Sequence, residues 1–224
     1  MASRSLIDPA PWDRPSLGID AFEIKVATAE AMAQMQQAPG HYTIRVGPLA
    51  SKRLLHEHGF YYCDTLIEPH CAEKDLVAHR SPDAAVTRDV TIDAVMQVCH
   101  GAFVHGRFHR DFNIDRARAD ARYDRWLAEM HAQGQVYGLQ YRGQLAGFAA
   151  AIGGKLVLHA VAEAHRGRGR ARFLWTVLCE ALFAAGESEI SSSISATNLA
   201  ALNLYATLGF RFHNSVDVYH RVVQ

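Results

Sequence analysis

Two short segments near the C-terminus combine residues that could bind an anion and move a proton. The first, residues 165–171, reads His-Arg-Gly-Arg-Gly-Arg-Ala between an apolar strand pattern and a helix pattern. Its glycines let the backbone curl at a helix N-terminus, where free N–H groups bind phosphate. The second segment places Asn198, Ala201 and Tyr205 three and four residues apart, on one side of a helix. An anion site near a phenol predicts coenzyme A as the ligand and its thiolate as the proton acceptor.

Together the two segments resemble the GNAT family of acetyl-CoA-dependent N-acetyltransferases. The family pattern is Arg or Gln, two residues, Gly, one residue, and Gly or Ala; Arg166, Gly169 and Ala171 fill it. Glu163 stands where the family often has proline, which affects the rigidity of the turn more than binding. The resemblance covers residues 84–224 and implies acetyl-CoA as co-substrate. The residues that it implies for the cofactor are Ala160, Val161, Arg166, Gly167, Arg168, Gly169, Arg170, Ala171, Asn198 and Ala201.

The catalytic assignment follows from the same resemblance. Tyr205 matches the family's general acid, and a phenol with a pKa near 10 keeps its proton at neutral pH. Strand alternation places His159 on the same face as Val157 and Val161, which makes it a candidate general base; the alternative is a core histidine hydrogen-bonded to backbone. His105 and His109 are alternatives, since they lie in the loop that forms the acceptor wall of this fold, and a bound water could also serve.

Shorter matches narrow the resemblance to the dTDP-fucosamine acetyltransferase group, which acetylates the 4-amino group of a nucleotide-linked deoxyamino sugar. These matches are Pro11-Trp12-Asp13, Leu17-Gly18-Ile19, Ala102-Phe103, Gly106-Arg107-Phe108, Tyr123 with Trp126, and Val218-Tyr219-His220-Arg221. They imply a nucleotide amino sugar as substrate, bound by His105, Arg107, Phe108 and His109. Arg107 could hold a phosphate or instead pair with Asp111 on the surface. Two other functions stay open: acetylation of a protein N-terminus, amino acid or polyamine, and a non-catalytic acyl-CoA-binding module.

Hydrophobic periodicity predicts the elements that position these residues. Helices are expected at 91–104, 118–131, 167–185 and from 198, and strands at 136–141, 145–152, 155–161, 189–195 and 216–223. This order matches the α/β GNAT fold, a mixed and mostly antiparallel sheet flanked by helices. We divide the chain into a degenerate GNAT-like half domain at 1–82 and a catalytic domain at 83–224.

The half domain is inferred from an internal repeat. Residues 50–60 align with residues 200–210 at a constant offset of 150, and His70 then matches His220. The N-terminal copy lacks the glycine-rich loop and has Leu55 in place of Tyr205, so it should carry no cofactor. The alternative is chance similarity between two amphipathic helices that end in Gly-Phe.

Composition limits the partners. The 224 residues include 23 basic and 23 acidic ones, so no net charge favours nucleic acid or a membrane surface. No apolar run is long enough to span a bilayer, and residues 1–6 lack a signal-peptide core, which predicts a cytoplasmic protein. The four cysteines have no CxxC spacing and are expected to be buried thiols, and the 13 histidines show no metal-ligand spacing, so we predict no metal. The expected partner is a small molecule, and a homodimer stays open.

Overall fold

The computed structural model describes residues 5–224. They form two compact units, each assembled from segments that are distant in sequence. The first unit holds residues 5–66, 104–122 and 215–224, and the second unit holds residues 67–103 and 123–214. A single cut between residues 82 and 83 does not reproduce this grouping, because a central loop and the last strand join the N-terminal segments. The predicted division at that point stays a prediction about the chain's internal repeat.

The first unit is a small sheet with helices on it. Its strands lie in the order β1-β2-β3-β11, in which only the β2–β3 pair is parallel. Helix α2 begins where the Thr28 hydroxyl accepts a hydrogen bond from the Ala31 N–H at 3.2 Å, and it buries Met32 and Met35. The elements are β1 (Ile7–Pro9), α1 (Arg14–Leu17), β2 (Ala21–Ile24), α2 (Ala29–Met35), β3 (Gly40–Val46), α3 (Arg53–Glu57), the start of β4 (Tyr61–Ala72) and the end of β11 (Arg211–Val223).

The second unit contains the strands and helices that carry the two segments. Its strand order is β4-β9-β8-β7-β6-β5, with β10 also on β4; β5 to β8 are antiparallel and β8–β9 is parallel. Its remaining elements are β5 (Ala84–Thr87), α4 (Ile92–Cys99), α5 (Arg116–Ala132, from residue 123), β6 (Val136–Tyr141), β7 (Gln144–Ile152), β8 (Lys155–Val161), α6 (Ala171–Ala184), β9 (Glu189–Ser192), β10 (Ile194–Ser195) and α7 (Leu199–Thr207). This is the predicted mixed, mostly antiparallel sheet flanked by helices.

The core of the second unit explains why α6 lies on the sheet. Leu174, Leu178 and Leu182 recur every four residues along α6, and all are buried together with Trp175. They pack with residues of β6, β7 and α7 in one apolar cluster. Burial of each such side chain contributes about 1.5–3 kcal/mol, so this face fixes the position of the N-terminus of α6.

Two helix boundaries differ from those predicted by more than two residues. Helix α4 ends at Cys99 rather than residue 104, and Gly101 follows with a φ of 70°. Helix α6 begins at Ala171 rather than residue 167, because Gly167 and Gly169 have φ values of 68° and 67°, which a right-handed helix cannot include. The glycines therefore form a loop before the helix.

The helix-to-strand turns at the 150-residue offset have matching geometry. Gly59 and Gly209 both end a helix with positive φ, at 72° and 86°. Their next residues donate equivalent backbone hydrogen bonds, Phe60 N to Leu55 O at 2.9 Å and Phe210 N to Tyr205 O at 3.0 Å. The strands that follow, β4 and β11, begin 150 residues apart.

All four cysteines are free and buried, which confirms their prediction as buried thiols. Within residues 5–224, no helix has the length and apolar character needed to cross a bilayer. The signal-peptide prediction rests mainly on residues 1–4, which lie outside the described residues.

Candidate active site

Strands β8 and β9 are paired over a short distance only. Their parallel ladder consists of Lys155 with Ser191 and Leu156 with Ser192. Beyond Leu156, β8 continues to Val161 and keeps only its antiparallel partner β7. Backbone groups on the free edge of β8 from residue 157 onward can therefore hydrogen-bond to an extended ligand. His159, Ala160 and Val161 all lie on this part of the strand.

The loop after β8 presents backbone N–H groups to solvent. Within the described part of the chain, the N–H groups of Gly167, Arg168 and Gly169 have no protein acceptor. A Cβ built on Gly167 or Gly169 meets nothing within 4 Å, so open space lies in front of this backbone. Helix α6 starts immediately afterwards, and its N-terminus adds a partial positive charge. This is the geometry of a phosphate-binding loop.

Arginines anchor the loop and make it electropositive. The Arg166 Nε–H donates to the Val161 carbonyl at 2.8 Å, which ties the start of the loop to the end of β8. Arg170 lies with one guanidinium nitrogen 2.9 Å from His165 Nδ1 and stacks over the Tyr141 ring at 4.6 Å. Burial lowers the pKa of His165, and the charges of Arg170 and Arg168 lower it further. The same positive field attracts an anionic ligand.

Helix α7 begins one residue after Asn198, which caps it. The Asn198 Oδ1 accepts a hydrogen bond from the Ala201 N–H at 3.1 Å, which leaves its amide N–H₂ as a donor. Ala201 and Tyr205 share one face of α7 and are both buried. Ala201 and Tyr205 therefore lie on one face of α7, as predicted, and Asn198 caps the N-terminus of the helix.

The Tyr205 hydroxyl lies 3.0 Å from Nε2 of His159. Tyr205 is fully buried, and burial raises the pKa of its phenol, so the proton stays on the oxygen at neutral pH. Burial lowers the pKa of His159 to about 4, opposed by a hydrogen bond to its own backbone, so the imidazole is neutral. The two predicted catalytic side chains thus form one hydrogen-bonded pair, in which the phenol has the higher pKa and holds the proton.

The structure places the four predicted acceptor-binding residues in the first unit. Phe108 is buried in a cluster with Leu17 and Ala119, so its ring is occupied by packing. His109 Nε2 lies 2.9 Å from Asp120 Oδ1, with its side chain almost fully buried. His105 is exposed. A role in acceptor binding stays a prediction for all four residues.

Arg107 is the most unusual of these four. Its side chain is 12% exposed, and within residues 5–224 its Nη1 has no hydrogen-bond partner. Burial lowers the pKa of Arg107 to about 10, and the charges of Arg45 and Arg122 lower it further. Glu23 is its ion partner at a distance of 3.9 Å, whereas Asp111, the partner considered from sequence, bonds elsewhere. A buried guanidinium nitrogen without an acceptor is a candidate anion contact.

Trp175 and Tyr141 contact site residues and were not predicted. The Trp175 ring stands edge-on to His159, with centroids 5.2 Å apart and planes at 89°. Tyr141 lies beneath Arg170, at the end of β6. Trp175 could have been found from the buried face of α6, but Tyr141 is distant in sequence and only sheet pairing brings it to the loop.

These features fit coenzyme A. The open space before Gly167 and Gly169, with free N–H groups and arginines, suits a diphosphate. The unpaired edge of β8 suits the extended pantetheine arm with its amides, and it leads from the loop to His159. A proton donor lies at the far end of this edge.

Comparisons with known proteins agree with this geometry. Residues 103–210 match the acetyltransferase (GNAT) family, and no curated protein matches the chain in sequence. A GCN5-related N-acetyltransferase from Sphaerobacter thermophilus is similar in structure, with a TM-score of 0.62, 12% identity, and coverage of 97% of this chain and 76% of that one. A putative GNAT acetyltransferase from Novosphingobium aromaticivorans has a TM-score of 0.51 at 17% identity, covering 98% and 89%.

A third similar structure has a repeated architecture. It is a tandem GNAT protein from the clavulanic acid biosynthesis pathway, described without AcCoA, with a TM-score of 0.53, 11% identity, and coverage of 90% of this chain and 75% of that one. At such identities structural similarity shows the fold. Residues 103–210 carry the sequence match to the acetyltransferase (GNAT) family, a family of acyltransferases that use acetyl-CoA.

Proposed function

We propose that this protein is an acetyl-CoA-dependent N-acetyltransferase in which Tyr205 and His159 act as a hydrogen-bonded pair. The observation that carries the proposal is the 3.0 Å contact between the Tyr205 hydroxyl and His159 Nε2, beside the unpaired edge of β8. An intact phenol at this place argues against a module that only binds acyl-CoA, because binding alone requires no proton donor.

Residues of β8, of the loop after it and of α7's N-terminus bind different parts of acetyl-CoA. The N–H groups of Gly167, Arg168 and Gly169 bind the diphosphate, and Arg166 holds the loop to β8. Backbone groups at Ala160 and the amide of Asn198 orient the pantetheine arm. Acetyl-CoA supplies the acetyl group as a thioester, and its sulfur leaves as a thiolate that needs a proton.

Tyr205 holds that proton at its hydroxyl oxygen. A phenol of raised pKa is protonated over the whole neutral range, and a thiolate with a conjugate-acid pKa near 8.5 can accept from it. His159 is the neutral partner, and its Nε2 has two tautomeric roles. When Nε2–H donates to the phenol oxygen, the Tyr205 proton is directed away from His159 and toward the ligand. When Nε2 accepts, the proton stays on the phenol oxygen and points toward His159.

For the acceptor we propose the amino group of a nucleotide-linked amino sugar. The short sequence matches to the dTDP-fucosamine acetyltransferase group support this choice. An amino group on a sugar ring is also less basic than a lysine amine, so the weakly basic His159 or a water suffices to take its proton.

The test is thiol release from acetyl-CoA with a panel of amines. We expect turnover with a nucleotide 4-amino sugar and much slower turnover with the matching free amino sugar. A preference for peptides, amino acids or polyamines would replace the acceptor proposal. Failure to bind acetyl-CoA in calorimetry would overturn the acyltransfer proposal itself.

We also propose that residues 1–82 descend from a duplicated GNAT half that carries no cofactor. The matching turns at Gly59 and Gly209 support this, as does the equal spacing of β4 and β11. So does the similarity to a tandem GNAT structure. Leu55, fully buried at the position that corresponds to Tyr205, supplies packing but no proton.

A further inference from the structure

Three ligand-type side chains from separate parts of the first unit meet in its interior. His41 lies on β3, His220 on β11, and Asp111 in the loop before α5. All three are buried, with at most 2% of each side chain exposed. They have no part in the acyltransfer chemistry proposed above. Two imidazoles and a carboxylate are a donor set that first-row transition metals bind in proteins.

The donor atoms point at one another. His41 Nε2 lies 3.0 Å from Asp111 Oδ2, and His220 Nδ1 lies 2.7 Å from the same oxygen. One donor atom from each residue falls within 4.8 Å of the others. Bonds of 2.0–2.1 Å to a tetrahedral ion place neighbouring ligand atoms roughly 3.3 Å apart. The two distances to Asp111 Oδ2 are within a few tenths of an ångström of roughly 3.3 Å, and rotation of the imidazoles would set the separation of their nitrogens.

Neighbouring groups complete the surroundings of such a site. The Tyr61 hydroxyl lies 2.9 Å and 3.0 Å from the two oxygens of Asp111 and can act as a fourth ligand or hold a water. Asn113 donates from its backbone N–H to Asp111 Oδ1 at 2.9 Å and from its side chain to Tyr61 at 2.8 Å, which orients both. Such second-layer hydrogen bonds are typical of metal sites.

A surface pocket lies beside the cluster. It has a volume of about 380 Å³ and is lined by Asp111 together with Phe112, Ile114 and Arg110. The carboxylate of Asp111 has no exposed surface, and the two imidazoles are also buried. An ion therefore reaches the cluster from this pocket only when the loop that carries Asp111 moves.

We propose that His41, Asp111 and His220 form a binding site for one divalent first-row transition-metal ion, with Zn²⁺ as the expected occupant. The ion would link β3, β11 and the loop before α5, segments separated by 70 and 109 residues in the chain. Imidazole ligands favour zinc and its neighbours over magnesium or calcium. This inference does not depend on the proposed acetyltransferase activity.

The competing arrangement is a purely hydrogen-bonded cluster, in which both imidazoles donate protons to Asp111. The two arrangements exclude each other at His220, because a nitrogen that carries a proton cannot coordinate an ion. Metal binding must therefore move the Nδ1 proton of His220, to its Nε2 or to solvent, and a bound Co²⁺ must show the visible bands of a low-coordinate site. The Co²⁺ spectrum distinguishes the alternatives without any measurement of activity.

The experiment uses the full chain, stripped of metal by a chelator and then titrated with Zn²⁺ and Co²⁺. We expect one ion per chain by elemental analysis, visible Co²⁺ bands without a thiolate charge-transfer band, and a Tm that rises with Zn²⁺ concentration. The conservative Asp111→Asn variant and His220→Ala should each weaken binding by more than the 10–100-fold typical of an outer-shell partner.

The control is His70→Ala, which removes a histidine at the matching repeat position on β4. His70 contacts the exposed carboxylate of Glu189 at 2.9 Å, so its loss should leave metal affinity unchanged. Circular dichroism must show that each variant is folded. Binding below one ion per chain, equal affinity in Asp111→Asn, or a thiolate band in the Co²⁺ spectrum would each overturn the proposal.

Discussion

Replacing Tyr205 with phenylalanine removes one oxygen and its proton and keeps the buried ring. Tyr205 packs against Phe210, with ring centroids 4.8 Å apart, and this contact survives the change. The lost group is the hydroxyl 3.0 Å from His159 Nε2. The substitution therefore separates proton donation from packing.

The expected magnitudes differ for catalysis and stability. Loss of a general acid lowers kcat by about 100- to 10,000-fold, and each factor of ten corresponds to about 1.36 kcal/mol in the activation barrier. Leaving His159 Nε2 without its partner costs about 1–3 kcal/mol of folding free energy. Binding of acetyl-CoA should change little, because the glycine-rich loop proposed to bind the diphosphate is untouched.

The assay is single-turnover acetyl transfer, with chemistry rather than product release limiting the rate. Tyr137→Phe is the matched control, since the Tyr137 hydroxyl accepts a hydrogen bond from Arg88 at 2.7 Å outside the pair and its loss should spare kcat. His159→Gln should also slow transfer, and the double variant should be no slower than the worse single one. A Tyr205→Phe enzyme within about threefold of wild type would refute the role of the phenol, since that loss lies far below the range for a general acid.

Three further predictions follow from the same geometry. Gly169→Val should lower coenzyme A affinity at least tenfold in calorimetry. The control is Gly143→Val, which is equally strained at a φ of 72° with open space around it and should lower only stability. Equal coenzyme A affinities in the two variants would contradict the loop assignment. The pKa of His159 is about 4 in the folded protein, whereas an unfolded histidine has a pKa near 6.5, so the unfolded chain binds more protons between these two values. The free energy of unfolding therefore falls by roughly 2 kcal/mol, after allowance for partial exposure, as the pH drops from 6.5 to 4. Denaturant titrations should show a smaller loss in His159→Gln. Gly209→Ala should cost more stability than Gly59→Ala in the same assay. The new Cβ at residue 209 would lie 2.4 Å from a backbone carbonyl oxygen, whereas the new Cβ at residue 59 would lie 2.9 Å from a flexible guanidinium group. An equal cost would show that the loop around Gly209 can move.

Local patterns predicted the second unit well. Strands β6 and β8 begin and end at the residues expected from periodicity, because Gly-containing turns and apolar runs mark their limits. The start of α6 was placed four residues early, since periodicity takes no account of the positive φ that the two loop glycines adopt. The end of the β8–β9 ladder at Leu156 depends on the tertiary structure, and local sequence does not indicate it.

The sequence alone determined the glycine-rich loop, the capped helix with its phenol, and the resemblance to the GNAT family, because each of these depends on residues close together in the chain. Tertiary structure decided the rest. His159 and Tyr205 are 46 residues apart and meet only through the packing of α7 against the sheet. His41, Asp111 and His220 have no common sequence spacing, and only β-sheet pairing and one loop bring them together. Contacts between distant segments depend on how strands pair and helices pack, and local composition does not specify that arrangement.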